Sequence, residues 1–330
     1  MSAPNSRPLL RLLDFAPGAL FAVVLLVFGL MSDKFLTTDN FTQILVQSSS
    51  TAVVAVGMTF VLVTAGVDLS VGAIMFCGAG LAGKMALGGQ PLSLCLLVMI
   101  GVGLLGGAVN ALLVTRFKLA AFIATLATLY IGRGMGRWIT QTRAMNLPDS
   151  FLALGSAKWS GVPLPLWIAG GVILVAQLVL SNTPFGRQLY ALGNNPAAAN
   201  KAGLPTTRLL AEVYLICGAC AGLGGILALS QLGSVSPKFG EHYEFDAITA
   251  AVLGGTSLFG GRGKVFPGTV LGAVLLKSIF NGLVIVQADP YLYPLITSAI
   301  IFLAVVLDSL RRVAEARLNA RQIYAAPGQI

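Results

Sequence analysis

Charge is what this chain has least of. Lys, Arg, Asp and Glu together make up 10% of its 330 residues, against roughly 25% in a soluble domain. With 56% of residues hydrophobic and mean hydropathy at +0.85, a water-soluble fold could not hide so much apolar surface. Histidine is nearly missing, since His242 stands alone. The carboxylates do not cluster, so metal ligation and acid/base catalysis lack their side chains and no metal site is expected. Four cysteines, Cys77, Cys95, Cys217 and Cys220, lie inside apolar runs. Without nearby His or carboxylate ligands, the Cys217-Gly-Ala-Cys220 spacing reads as packed thiols rather than a redox or metal motif. A phosphate loop is lacking too: Gly260-Gly-Arg-Gly-Lys264 has no Gly five residues before Gly263, and Val265 stands where a Mg-binding Ser or Thr is required. Gly101-Val-Gly-Leu-Leu-Gly106 spells a dinucleotide fingerprint, but mid-span, where close helix packing accounts for it. The chain itself is therefore expected to carry no cofactor and no catalytic residue.

What is present is a series of apolar runs of membrane-crossing size, since about 20 helical residues span a hydrocarbon core of about 30 Å. Ten are expected, near residues 14–31, 41–64, 68–86, 91–115, 119–142, 164–181, 208–230, 246–260, 267–287 and 291–310. Basic residues recur on alternate connections. With the N-terminus inside, Arg7, Arg11, Arg116, Lys118, Arg187, Lys201, Arg208, Arg262, Lys264, Arg311, Arg312, Arg317 and Arg321 are cytoplasmic, thirteen of the 21 Lys and Arg. The Lys/Arg bias of short loops places both termini in the cytoplasm. The net charge of +9 is scattered over loops facing anionic lipid, so no nucleic-acid partner is implied. No small-x-small cleavage site precedes Asp33, and the first run reads as a retained span. The fold class is an all-α polytopic membrane protein, a single transmembrane domain over 1–330 with a cytoplasmic loop at 182–207 and a cytoplasmic tail at 311–330. Because five is odd, spans one to five and six to ten begin on opposite sides, so the halves would form an inverted repeat.

Three connections stand out. The loop from Thr183 to Gly203 holds its own short helix, with Asn195 as N-cap, Pro196 at the first helical position and Gly203 as terminator. In Thr64-Ala-Gly-Val-Asp-Leu-Ser-Val-Gly72, Gly66 is expected to turn the chain and Asp68 to cap the third span or serve as a ligand. The stretch Tyr243 to Lys264 reads as a short eighth span followed by a sharp reversal at Gly260 and Gly261. Among in-span polar residues, Thr125, Thr128 and Tyr130 recur near one face of the fifth span, with hydroxyl back-bonding as the plain account. Arg133 is expected to snorkel outward, and Lys277, about ten residues into the ninth span, has no partner named by the sequence. The loop Ser234–Glu244 is either an ordinary solvated loop or a contact for an outside partner through His242 and Tyr243.

These stretches together resemble the ribose-type permease family of bacterial ABC importers for monosaccharides. The likeness runs through Gly57–Gly72, Phe122-Ile-Ala-Thr-Leu-Ala-Thr-Leu-Tyr-Ile-Gly-Arg-Gly134, Thr183–Gly203 and Phe245–Gly263. It implies a permease of the type II-like importer class in the bacterial inner membrane. The implied partners are a second permease copy or paralogue, a cytoplasmic ATPase subunit that binds ATP and Mg, and a periplasmic sugar-binding protein. It further makes the 183–203 loop the coupling segment, docking through Asn194, Asn195, Pro196, Ala199, Lys201 and Gly203. It also makes the fifth span, with Phe122, Thr125, Thr128 and Tyr130, a wall of the translocation path. The chain departs from the family in having Asn194 and an Ala run where Gly and acidic residues are common. The competing reading, an ion-coupled secondary sugar transporter, calls for carboxylates near the midplane, and no Asp or Glu falls clearly at mid-span.

Overall fold

The computed structural model describes residues 7–293 and part of 295–309. Helices dominate: α1 (Arg7–Met31), α2 (Thr38–Val63), α3 (Val71–Leu87), α4 (Leu92–Thr115), α5 (Ala121–Thr140), α6 (Asp149–Ser156), α7 (Leu164–Asn182), α8 (Pro184–Asn194), α9 (Pro196–Lys201), α10 (Thr206–Leu232), α11 (Tyr243–Leu253) and α12 (Val270–Ile285). The described residues between 292 and 309 are also helical, within the tenth expected span. The tail 311–330, with its four arginines, lies outside the described residues. Strands are two residues each: β1 (Met145–Asn146) pairs antiparallel with β4 (Ser234–Val235), and β2 (Lys158–Trp159) with β3 (Val162–Pro163). Beside that hairpin the rings of Trp159 and Trp167 lie 4.8 Å apart, the amphipathic pairing that suits a membrane interface.

Five described helices are long and apolar enough to cross a membrane by length and composition: α2, α4, α7, α10, and the run Val265–Ile285 that ends in α12. The expected eighth span is not a full one, because α11 has 11 residues and rises about 16 Å. Hydropathy counted the Gly-rich return beyond Leu253 as part of it.

The core is built on α2 and α10, which lie antiparallel. Ser50 Oγ donates to the Gly224 carbonyl at 2.8 Å and Gln231 Nε2 to the Val46 carbonyl at 2.9 Å. Every residue from Ser48 to Val63 is buried, so this length of α2 carries only apolar and small hydroxyl side chains on every side rather than a single apolar stripe. Against α10 lies α4, and here the glycines act. Ideal Cβ atoms on Gly103 and Gly107 would run into the backbone of Gly218 and Tyr214, and one on Gly218 would stand 2.8 Å from the Gly107 nitrogen. Small residues let the two backbones touch. The expected packing role holds for Gly103 and Gly106, while Gly101 faces open space.

The two halves correspond. Each of α2 and α10 is followed by a stretch of irregular backbone (64–70 and 233–242) and then a short helix, α3 or α11. The short helix of each half packs on the long helix of the other, α3 against α10 and α11 against α2, while α4 and α12 pack on α10 and α2 in the same crossed manner. With α2 and α10 antiparallel, the two halves are laid out as an inverted repeat.

Candidate functional site

Irregular backbone inside a membrane bundle must have its polar groups satisfied by protein, so the two breaks concentrate the functional side chains. In the first, Ala65 takes the left-handed conformation, φ 62°, not Gly66. Gly66 is there for space: a Cβ would stand 3.0 Å from Tyr214 Oη and 3.2 Å from Val61. Asp68 is fully buried, and its Oδ1 accepts from the Ser70 amide at 2.9 Å, from Ser70 Oγ at 2.6 Å and from Asn110 Nδ2 at 3.1 Å. It therefore caps the turn into α3, whose own N-cap is Ser70 with no side-chain capping bond. Asn110 also donates to Ser70 Oγ at 2.7 Å, and its Oδ1 accepts from Thr128 Oγ1 at 2.7 Å. A continuous polar chain thus runs Asp68–Ser70–Asn110–Thr128 and joins the break to α4 and α5. Neither Ser70 nor Asn110 was singled out from the sequence.

On α5 the expected path residues divide. Thr125 is buried and its hydroxyl donates to the Ala121 carbonyl at 2.8 Å. Thr128 is half-buried and committed to Asn110 and its own helix. Phe122 and Tyr130 are exposed.

The second break turns back into the bundle, burying Phe239 and Gly240. Arg133 holds it: Nη1 donates to the Phe239 carbonyl at 2.7 Å and Nη2 to the Gly240 carbonyl, and the guanidinium lies 5.6 Å from the Phe76 ring centre. Arg133 therefore does not snorkel outward, because carbonyls freed by the break draw it in. Here the first turn of α3 meets the start of α11. A Cβ on Gly72 would stand 2.5 Å from Glu244 Oε2 and 3.2 Å from Arg133 Nη2. The positive ends of both helix dipoles face this junction, which favours the buried Glu244 carboxylate in the first turn of α11.

Further along α11, Asp246 accepts from Lys277 Nζ at 3.1 Å, with both side chains about 15% exposed or less. The ammonium also lies 5.6 Å from the Tyr243 ring and 5.3 Å from that of Phe280. Lys277 thus has its partner, and Asp68, Glu244 and Asp246 all sit at the two breaks, just before α3 or in the first turn of α11. His242, exposed and at φ 67°, precedes α11, while Tyr243 is turned toward Lys277.

The elbow formed by α8 and α9 follows the local sequence closely. Asn195 caps α9, its Oδ1 accepting from the Ala198 amide at 3.0 Å. Pro196 is at the first position and Gly203 ends the turn at φ 78°. Asn194, Asn195, Pro196, Lys201 and Gly203 are exposed, but Ala199 is buried, so it shapes the elbow and cannot meet a partner. Tyr190 Oη donates to the Gly263 carbonyl at 2.7 Å, and half-burial pushes its phenol up, keeping it a donor through neutral pH. Gly260 and Gly261, at φ 84° and 73°, make the expected reversal, and the Gly261 amide donates to the Val63 carbonyl at 2.9 Å. The four cysteines are free.

A polytopic bundle with two re-entrant breaks, bearing a capped elbow that reaches the start of the first break and the return beyond α11, is built like the membrane part of a transport system. Comparison with known proteins agrees. The chain is 37% identical over 291 residues to the ribose import permease protein RbsC of Haemophilus influenzae, covering 86% of this chain and 89% of that one. It is 36% identical over 296 residues to the D-allose transport system permease protein AlsC of Escherichia coli, covering 88% and 90%. To the fructose import permease protein FrcC of Rhizobium meliloti it is 33% identical over 324 residues, covering 93% and 90%. No solved structure matches. The family described as "Branched-chain amino acid transport system / permease component" matches residues 40–305, a stretch that takes in both breaks, the elbow and α12, and the chain belongs to that family.

Proposed function

We propose that this chain is the membrane permease of an ATP-driven importer for a monosaccharide. One observation carries the reading: the relatives aligned over about nine-tenths of their own length are named for the transport of sugars, ribose, allose and fructose. The family description names branched-chain amino acids, whereas the individual relatives aligned over about nine-tenths of their length are named for sugars. The sequence holds no phosphate loop, so ATP and Mg are bound by a separate ATPase subunit in the cytoplasm. That subunit docks on the exposed elbow residues Asn194, Asn195, Pro196, Lys201 and Gly203. Both termini face the cytoplasm and the protein sits in a bacterial inner membrane, paired with a second permease. A sugar-binding protein delivers substrate on the far side, toward the loop that carries His242. The path runs along α5, where Phe122 and Tyr130 present aromatic faces suited to sugar rings and Thr128 is held in place by Asn110. Transport is alternating access: closure of the ATPase moves the elbow, and the two permeases rock about the shared path.

The test is to purify the tagged chain gently from its native membrane, before and after deletion of residues 195–203. Reconstituted complexes are then assayed for ATP-dependent uptake of radiolabelled ribose, allose and fructose. An ATPase that co-purifies and is lost on deletion, with uptake of at least one sugar, is the expected result. Sugar uptake with no ATPase present would return the chain to an ion-coupled carrier.

A further inference from the structure

Between the elbow and the two halves of the bundle lies a contact that docking and translocation alone do not require. Gly193, near the end of α8, is buried. A Cβ on it would overlap the Val63 carbonyl oxygen and stand 2.5 Å from the Gly261 nitrogen. Those two atoms are themselves joined by the 2.9 Å hydrogen bond from Gly261 to Val63. Gly260 completes the cluster, its Cβ position lying 2.8 Å from both the Ala65 side chain and the Gly193 carbonyl oxygen. Three residues before Gly193 on α8, Tyr190 is bonded to the Gly263 carbonyl at 2.7 Å.

Val63–Ala65 is the turn that leads from α2 into the break before α3, and 260–263 belongs to the return from α11 toward α12. We propose that Tyr190 and Gly193 are positioning residues that deliver one movement of the elbow to the short helices of both halves at once. At Gly193 the contact is backbone on backbone, with no rotatable side chain between α8 and the two turns to absorb a displacement, and the Tyr190 hydroxyl adds a second tie to the return, so the two turns shift together when α8 shifts. Side-chain contacts alone would let one turn follow while the other lagged. This inference rests on the proposed function, since it needs an ATPase to move the elbow.

The experiment measures ATP hydrolysed per sugar imported, using the whole complex in proteoliposomes, for the unaltered chain, Tyr190→Phe and Gly193→Ala. Arg208→Ala, which removes only an exposed ion pair with Glu212, serves as the control and should leave the ratio unchanged. Tyr190→Phe is expected to raise the ratio by about fivefold, the weight of one hydrogen bond, while the ATPase stays bound, and Gly193→Ala to raise it further. If Gly193→Ala does not assemble, Tyr190→Phe decides. A bound ATPase with an unchanged ratio in Tyr190→Phe overturns this inference alone. An unaltered chain that brings down no ATPase overturns the proposed function, and this inference with it.

Discussion

The two breaks solve one problem with opposite hydrogen-bonding roles. Before α3, a carboxyl oxygen collects donors: Asp68 takes the Ser70 amide, the Ser70 hydroxyl and the Asn110 amide group. Before α11, a cation collects acceptors: Arg133 takes the Phe239 and Gly240 carbonyls. The halves share a layout but not a chemistry. What the repeat preserves is the need to satisfy freed backbone away from water, and either an acceptor or a donor side chain meets it. The holding side chains differ in origin as well, since Asp68 belongs to the break it holds and Arg133 comes from α5. Movement of α5 is therefore felt directly at the second break, and at the first through Thr128 and Asn110.

The sharpest way to break this comparison is Asp68→Ala. It strands the buried Ser70 amide and hydroxyl, removes one of the two bonds of the Asn110 amide group, and should cost about 3–5 kcal/mol, read as loss of the monodisperse protein in mild detergent, with Asp68→Asn recovering part of it. A normal melting profile for Asp68→Ala would end the account centred on this carboxyl group. Lys277→Met comes next: it leaves Asp246 buried without its cation, a loss of about 3 kcal/mol. Adding Asp246→Asn should restore most of the melting temperature, whereas no recovery would mean that the pair does not act as a unit. Arg133→Lys keeps the charge but loses the planar fork that spans two carbonyls, costing about 1–2 kcal/mol, seen as a lower melting temperature. The smallest effect belongs to Thr128→Val, about 1 kcal/mol from the lost bond to Asn110, with uptake falling less than about twofold because the hydroxyl is committed to Asn110 and its own helix. A large loss of uptake at normal stability would place Thr128 on the sugar's route.

How much of this was legible in the sequence depended on range. The elbow was readable residue by residue, because Asn195, Pro196 and Gly203 act on backbone within a few positions of themselves. The first break was visible as a turn, yet its left-handed residue is Ala65, since the tertiary neighbour Tyr214 occupies the space beside Gly66. Asn110 carries no local signal, as an amide in an apolar run gains meaning only from what lies across the bundle. Lys277 meets a partner 31 residues away, and a hydropathy window that ran α11 on to residue 260 put Asp246 at a span end. Hydropathy measures what lipid tolerates, and it cannot separate a full crossing from a half helix followed by half-buried glycine turns.

The seam between α4 and α10 bears on how the molecule can move. Where Gly103, Gly107 and Gly218 bring two main chains into contact, no side chains stand between them to repack, and the pair has the stiffness of a single beam. Spin labels placed at matching ends of α4 and α10 should keep one separation through the whole cycle, giving a fixed ruler against which every other displacement in the bundle can be measured.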